Sequence, residues 1–209
     1  MSTLVCIPCM DMVHTQFFRS MVGLQPAGET RFAVSCSSLI YDARNMLAKQ
    51  AVDEGHERIL WLDSDMVFEP DILLKLSADM DEGREFVSAL YFSRKNPIRP
   101  IIYKDCGYNK VNDQIISYAT NYEDYPKDSI FEIYGCGLGA AMMTTDLVVR
   151  IFKEYGAPFA PHPGFGEDLS FCYRCQQLGV KIYCDSRIKP GHIGQTIVTE
   201  GTYSKGVKL

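Results

Sequence analysis

Two carboxylates one residue apart, Asp63 and Asp65, follow the apolar run Ile59-Leu60-Trp61-Leu62. Hard divalent cations such as magnesium and manganese take oxygen ligands, and paired acids at a strand end can hold an ion that also binds a substrate diphosphate. The same pair could instead cap a helix or solvate a loop. Three further features favour chemistry. Arg44-Asn45, near the start of the helix preceding this strand, brings a guanidinium within reach of a phosphate at the same sheet edge. Gly164-Phe165-Gly166-Glu167-Asp168-Leu169 sets two acids at a helix start, where the helix dipole also favours them, behind a turn able to approach a ligand. Gly191-His192-Ile193-Gly194 places an imidazole between glycines, free to offer a nitrogen to a metal.

The elements that must position these residues alternate along the first half of the chain. Leu4-Val5-Cys6-Ile7-Pro8 is a short strand ended by proline, and residues 14–24 form a helix. Residues 32–36 offer a second strand, after which Ile40, Ala43, Leu47 and Ala51 recur at helical spacing until Gly55 stops them. Residues 59–62 are continuously apolar, as in a strand covered on both faces, and end in the two acids. Glu69-Pro70 opens a helix with proline in its first turn, and residues 86–92 give the next strand. The alternation predicts an α/β/α sandwich on a mainly parallel central sheet, with the ligand site beyond the carboxyl ends of its strands.

The second half is less regular. A hairpin around Cys106-Gly107 and Asn112-Asp113 and a tyrosine-rich stretch read as a small antiparallel elaboration. Residues 131–134 and 140–143 are strands around a glycine-rich turn, 146–155 and 167–178 are helices, and 180–184 is a further strand. With no repeat or dividing linker, residues 1–209 read as one domain: a nucleotide-binding half (1–95), an acceptor and catalytic half (96–195) and a flexible tail (196–209).

The chain has 209 residues, 46% hydrophobic, and its 21 basic and 26 acidic residues leave a net charge of -5. Binding to a phosphate backbone therefore lacks its electrostatic drive, which argues against a nucleic-acid partner. No apolar run approaches the roughly 18 residues of a membrane span, and the start lacks a basic leader, so a soluble cytoplasmic protein without a transmembrane segment is expected. Eight cysteines fit a reducing compartment. The spacings Cys6–Cys9 and Cys172–Cys175 suggest zinc on their own, but they fall on a strand and a helix, where buried thiols are the simpler reading.

The joint order of these motifs resembles the GT-A glycosyltransferases, especially compact family-two-like members from bacteria and viruses. The resemblance rests on Val5-Cys6-Ile7-Pro8, Asp42-Ala43-Arg44-Asn45-Met46, Leu60-Trp61-Leu62-Asp63-Ser64-Asp65-Met66, Gly135-Cys136-Gly137-Leu138-Gly139, Gly166-Glu167-Asp168-Leu169 and Gly191-His192. It implies sugar transfer from a UDP- or GDP-sugar to a glycan or other hydroxyl acceptor, with Mn2+ or Mg2+ on the diphosphate. By the same resemblance Asp65 and His192 would hold the metal, and Asp63 would contact ribose or a metal-bound water. Pro8, Arg44, Asp63, Ser64, Gly137 and Gly139 would line the nucleotide sugar. Asp168 would be the base of an inverting reaction, with Glu167 its competitor; adjacent helical residues point about 100° apart, so only one faces the acceptor.

Arg44 or Lys189 would assist the departing diphosphate, tyrosines between residues 103 and 134 could stack on an acceptor sugar, and Lys205 and Lys208 could belong to a lid. Two other functions fit part of the pattern. A haloacid-dehalogenase-like phosphatase would use Asp63 as nucleophile and Asp65 as acid, although its later Gly-Asp signature is missing. A GT-A-like module without turnover would bind donor and metal only. A dinucleotide site at Gly135-x-Gly137-x-x-Ala140 is disfavoured because an apolar strand follows that turn.

Overall fold

The computed structural model describes residues 1–194 and 197–204. Strands and helices alternate as β1 (Ser2–Cys9), α1 (Thr15–Val22), β2 (Glu29–Cys36), α2 (Ile40–Asp53), β3 (Arg58–Leu62), β4 (Met66–Val67), α3 (Ile72–Asp81) and β5 (Phe86–Ala89). The second half adds β6 (Ile102–Val111), β7 (Gln114–Asn121), β8 (Ile130–Ile133), β9 (Gly135–Cys136), β10 (Ala140–Thr144), α4 (Thr145–Tyr155), α5 (Glu167–Gln177) and β11 (Ile182–Asp185). It closes with β12 (Gly191–Ile193), β13 (Ile197–Val198) and α6 (Glu200–Ser204).

The central sheet has seven strands in the order β2-β1-β3-β10-β5-β11-β8, and only β10 and β8 run against the other five. It is covered on both faces, which the period-2 alternation of its strands dictates. Leu4, Cys6, Ile59, Trp61, Ala141 and Met143 point to the layer of α2, α4 and α5. Val5, Ile7, Leu60, Leu62, Ala140 and Met142 point to that of α1 and α3. Every residue of β3 is buried, and each large side chain so removed from water stabilises the fold by about 1.5–3 kcal/mol. The acids that follow are thus anchored to a wholly buried strand.

The hairpin of β6 and β7 turns at Asn112 and Asp113, both with positive φ (48° and 61°), as a two-residue turn matched to strand twist requires. Cys106-Gly107, expected near the turn, lies mid-strand opposite Ala119 and Tyr118. Two boundaries differ from the sequence reading. Pro70 precedes α3, which starts at Ile72 because its buried face begins there. Strand β5 stops at Ala89, since the Leu90 N–H turns to the Ile188 carbonyl.

The cysteines are free thiols, and the close-spaced pairs diverge. Cys6 faces the Leu47 carbonyl, whereas Cys9 Sγ lies 3.4 Å from Cys36 Sγ on the neighbouring strand. Cys172 turns to the Cys136 carbonyl. Among the described residues no helix is long and apolar enough to cross a membrane. Lys205 and Lys208 lie outside the described residues.

Candidate functional site

Asp63 and Asp65 leave β3 at the carboxyl edge of the parallel strands, and the Asp63 N–H is tied to the Gly139 carbonyl at the start of β10. The two carboxylates face different partners. Asp63 Oδ1 accepts from Arg44 Nη2 at 2.8 Å, and Arg44 Nε donates to Glu167 Oε1 at 3.2 Å. Arg44 is only 2% exposed, with its guanidinium 5.3 Å from the Trp61 ring centroid. One buried cation from α2 therefore joins the acid after β3 to the first acid of α5.

Burial opposes charge on Arg44, but Asp63 and Glu167 outweigh it and hold its pKa above the usual value. At Asp63 burial prevails: the carboxyl is raised despite Arg44, with the negative charge of Asp65 adding to the shift. Asp168, beside this network, is lifted to about 6, first by burial and then by Glu167, while the Leu169 N–H and Arg44 pull it down. Its Oδ1 accepts from that N–H at 2.7 Å.

Asp65 faces β12, whose His192 pairs with Met66 of β4. His192 Nε2 lies 3.5 Å from Asp65 Oδ2, and His192 Nδ1 lies 2.8 Å from the Phe92 carbonyl. A carbonyl only accepts, so Nδ1 carries a hydrogen, and in the neutral ring the Nε2 lone pair points at the carboxylate. Two lone-pair sites so placed need a cation or a proton between them, and metal–ligand bonds of about 2.1 Å would let both reach one ion. Arg94 Nη1 also bonds Asp65 Oδ2. Burial would raise Asp65, but with His192 protonated the hydrogen bond and charge of that ring, and then Arg94, hold the carboxyl below the ordinary value. Among the described residues no three His, Cys, Asp or Glu side chains form a metal-holding group. The oxygen–nitrogen pair thus fits an ion that draws its remaining ligands from substrate and water, as magnesium commonly does.

Asp63, Asp65, Glu167, Asp168 and His192 are brought to one edge of the sheet, but several other expected contacts lie differently. Arg44, read as a phosphate contact, is committed to two carboxylates inside the fold. Asp63 is held by that guanidinium and is not grouped with Asp65 and His192. Gly137 and Gly139 are buried, and their glycine identity has an internal cause. A Cβ at Gly137 would lie 2.1 Å from the Tyr91 hydroxyl, and one at Gly139 would lie 3.0 Å from the same ring. Lys189, read as a possible diphosphate contact, pairs with Glu200 and Asp128. Pro8 is buried near the end of β1, opposite Ser35, whereas Ser64 is half-buried, its carbonyl accepting from the His14 N–H.

The tyrosines divide. Tyr122 and Tyr125 pack on Phe131 in the main core. Tyr103, Tyr108 and Tyr134 instead gather with Cys106, Phe165 and Leu169 beside the start of α5. Two residues of the site were absent from the sequence reading. Tyr91 accepts from the Gly139 N–H and sets its ring edge-on to His192. Arg94 follows the apolar run 86–92 in Ser93-Arg94-Lys95; a basic pair just past a parallel strand was the available signal.

No protein-family model matches the sequence, and no curated protein gives a significant match. Solved structures do resemble the fold. A197 from STIV aligns with a TM-score of 0.64 at 18% identity, over 93% of this chain and 86% of that one. TarS 1–349 from S. aureus aligns with a TM-score of 0.53 at 14% identity, over 89% of this chain and 60% of that one. The same TarS segment in complex with UDP-GlcNAc aligns at 0.54 and 15% identity, over 88% of this chain and 58% of that one. The architecture is GT-A-like: a mainly parallel seven-stranded sheet with helices on both faces and small antiparallel additions.

Proposed function

We propose that this chain is a glycosyltransferase that moves a sugar from a nucleotide-diphosphate sugar to an acceptor hydroxyl, acting as one domain over residues 1–209. The observation that carries the reading is the Asp65 Oδ2 and His192 Nε2 pair, 3.5 Å apart, at the sheet edge that also presents Asp168. The likeness of fold to a TarS segment that holds UDP-GlcNAc makes that compound the first donor to assay.

Asp65 and His192 would hold Mn2+ or Mg2+, which when bound supplies Lewis-acid stabilisation of charge on the leaving diphosphate. Asp168 takes the proton of the acceptor hydroxyl as it attacks the anomeric carbon. Its pKa near 6 leaves it mostly ionised at neutral pH yet basic enough to accept that proton. Glu167 is less suited, because its carboxylate is bound by Arg44; it positions α5 against the strand end. In-line attack by a hydroxyl so activated inverts the anomeric centre. Asp63 would meet the ribose or a metal-bound water through whatever acceptor capacity Arg44 leaves it. A haloacid-dehalogenase-like phosphatase would require Asp63 as a free nucleophile, and Arg44 holds that carboxylate.

Calorimetry with UDP-GlcNAc and other UDP- and GDP-sugars, with and without Mn2+, tests the reading. Asp65→Ala and His192→Ala should lose metal-dependent donor binding. Asp168→Asn should bind donor normally and transfer sugar about 10²–10⁴-fold more slowly. Donor binding with no transfer to any acceptor by the unaltered chain would leave a binding module, and phosphatase activity without donor binding would refute the proposal.

A further inference from the structure

The Asp65 carboxylate already carries a positive partner. Arg94, on the turn after β5, bonds Asp65 Oδ2 through Nη1 and has the Ile193 carbonyl within 3.4 Å. That oxygen is the one His192 Nε2 approaches. The turn is fastened from behind: Ser93 N–H donates to the Arg99 carbonyl, Arg99 N–H donates to Ser93 Oγ, and Ser93 Oγ bonds the Lys95 carbonyl. The Arg94 side chain is nevertheless 47% exposed. A fixed backbone thus carries a guanidinium with solvent beside it, and an ion pair whose cation is half-exposed costs little to leave.

Resting on the function proposed above, we infer that Arg94 and the metal ion exchange on Asp65 Oδ2, and that displaced Arg94 then binds the donor diphosphate. The charges require this order. A divalent ion on Oδ2 occupies the place of Nη1 and repels the guanidinium. The ion and Asp65 together still leave a bound diphosphate with surplus negative charge, and a planar fork of N–H donors matches phosphate oxygens. Without donor, Arg94 keeps Asp65 neutralised; with donor, the same side chain would turn to the diphosphate. Metal and nucleotide should therefore bind with positive coupling, because the diphosphate supplies Arg94 with a new partner.

The test compares the unaltered chain with Arg94→Gln by two readouts that need no turnover. Free Mn2+, measured by electron paramagnetic resonance without nucleotide, should bind Arg94→Gln about fivefold more tightly, the size of a lost competing surface ion pair. UDP measured by calorimetry at saturating Mn2+ should bind Arg94→Gln at least about fivefold more weakly, with uridine binding unchanged. Equal or weaker Mn2+ affinity in Arg94→Gln, with UDP binding intact in both proteins, overturns the exchange and leaves the glycosyltransferase reading standing. Unchanged UDP affinity overturns the diphosphate contact. Absence of Mn2+ and nucleotide binding from both proteins refutes the proposed function and the exchange together.

Discussion

Replacing Arg44 by methionine keeps most of the aliphatic stem over Trp61 and removes the cation. The guanidinium is 2% exposed and bonds Asp63 at 2.8 Å and Glu167 at 3.2 Å, so two carboxylates lose their common partner inside the protein. Breaking a buried ion pair from one side costs about 3–5 kcal/mol, since the remaining charge stays uncompensated. In a chain of this size each kcal/mol moves the melting temperature by about 2–4 °C, which places the expected fall near 10 °C at pH 8. The deficit must also depend on pH. Without Arg44, folded Asp63, already raised by burial, binds its proton still more tightly than in the unfolded chain, where its pKa is about 4. Stability of the variant therefore falls as pH rises above about 4, and the gap to the unaltered protein is narrower at pH 5 than at pH 8. Thermal unfolding followed by circular dichroism at both pH values measures this. A shift below about 2 °C at pH 8, or an equal shift at both, would refute the claim that Arg44 is the internal counter-ion of this edge.

The rate should follow the Asp168 carboxyl, whose neighbours are Glu167, Arg44, Asp63 and the Leu169 N–H. Because the base acts ionised, kcat/KM should fall about tenfold per pH unit below about 6 and level off above it, and a profile flat from pH 5 to 8 would remove Asp168 from the role. Asp168→Asn should lose about 10²–10⁴-fold in kcat, checked by donor turnover at saturating acceptor. Gly137→Ala should destabilise the fold by about 1–3 kcal/mol through the clash with Tyr91, and adding Tyr91→Phe should recover part of the loss in a thermal double-mutant cycle. Asp79 is held protonated up to about 7, first by burial and then by the hydrogen bond and charge of Asp185. Folded chains thus keep a proton that unfolded chains release near pH 4, so this contribution declines from about pH 4 to 7 and is gone above; Asp79→Asn should flatten that stretch of the stability curve in urea titrations.

The alternation of apolar runs with helical spacings displayed the central sheet, because a strand buried on both faces leaves little freedom in residue type: Leu60-Trp61-Leu62 could hardly be elsewhere. The acids after it were legible for the same reason, as charges at the end of such a run must emerge at an edge. Their partners were not. Sequence spacing places Arg44 on the correct helix but does not say that its guanidinium faces inward, since that depends on where Glu167 arrives from 123 residues away. Glycines 137 and 139 were read as lining the nucleotide sugar, and nothing in the sequence signals that a Cβ at either would also meet Tyr91. Arg94 went unread because a basic pair just past a strand has much the same local signature as any solvated turn. Its meaning comes from β12 and β4 meeting beside it.

Trp61 is the only tryptophan in the chain, wholly buried, with Phe159 edge-on at 5.2 Å and the Arg44 guanidinium 5.3 Å from its ring centroid. The indole's emission is therefore a native optical gauge of the sheet edge that carries Asp63. Any ligand that draws Asp63 or Glu167 away from the guanidinium changes the electric field at the ring, shifting its fluorescence without a label. Stopped-flow traces of this single fluorophore would resolve ion arrival from sugar-nucleotide arrival in real time.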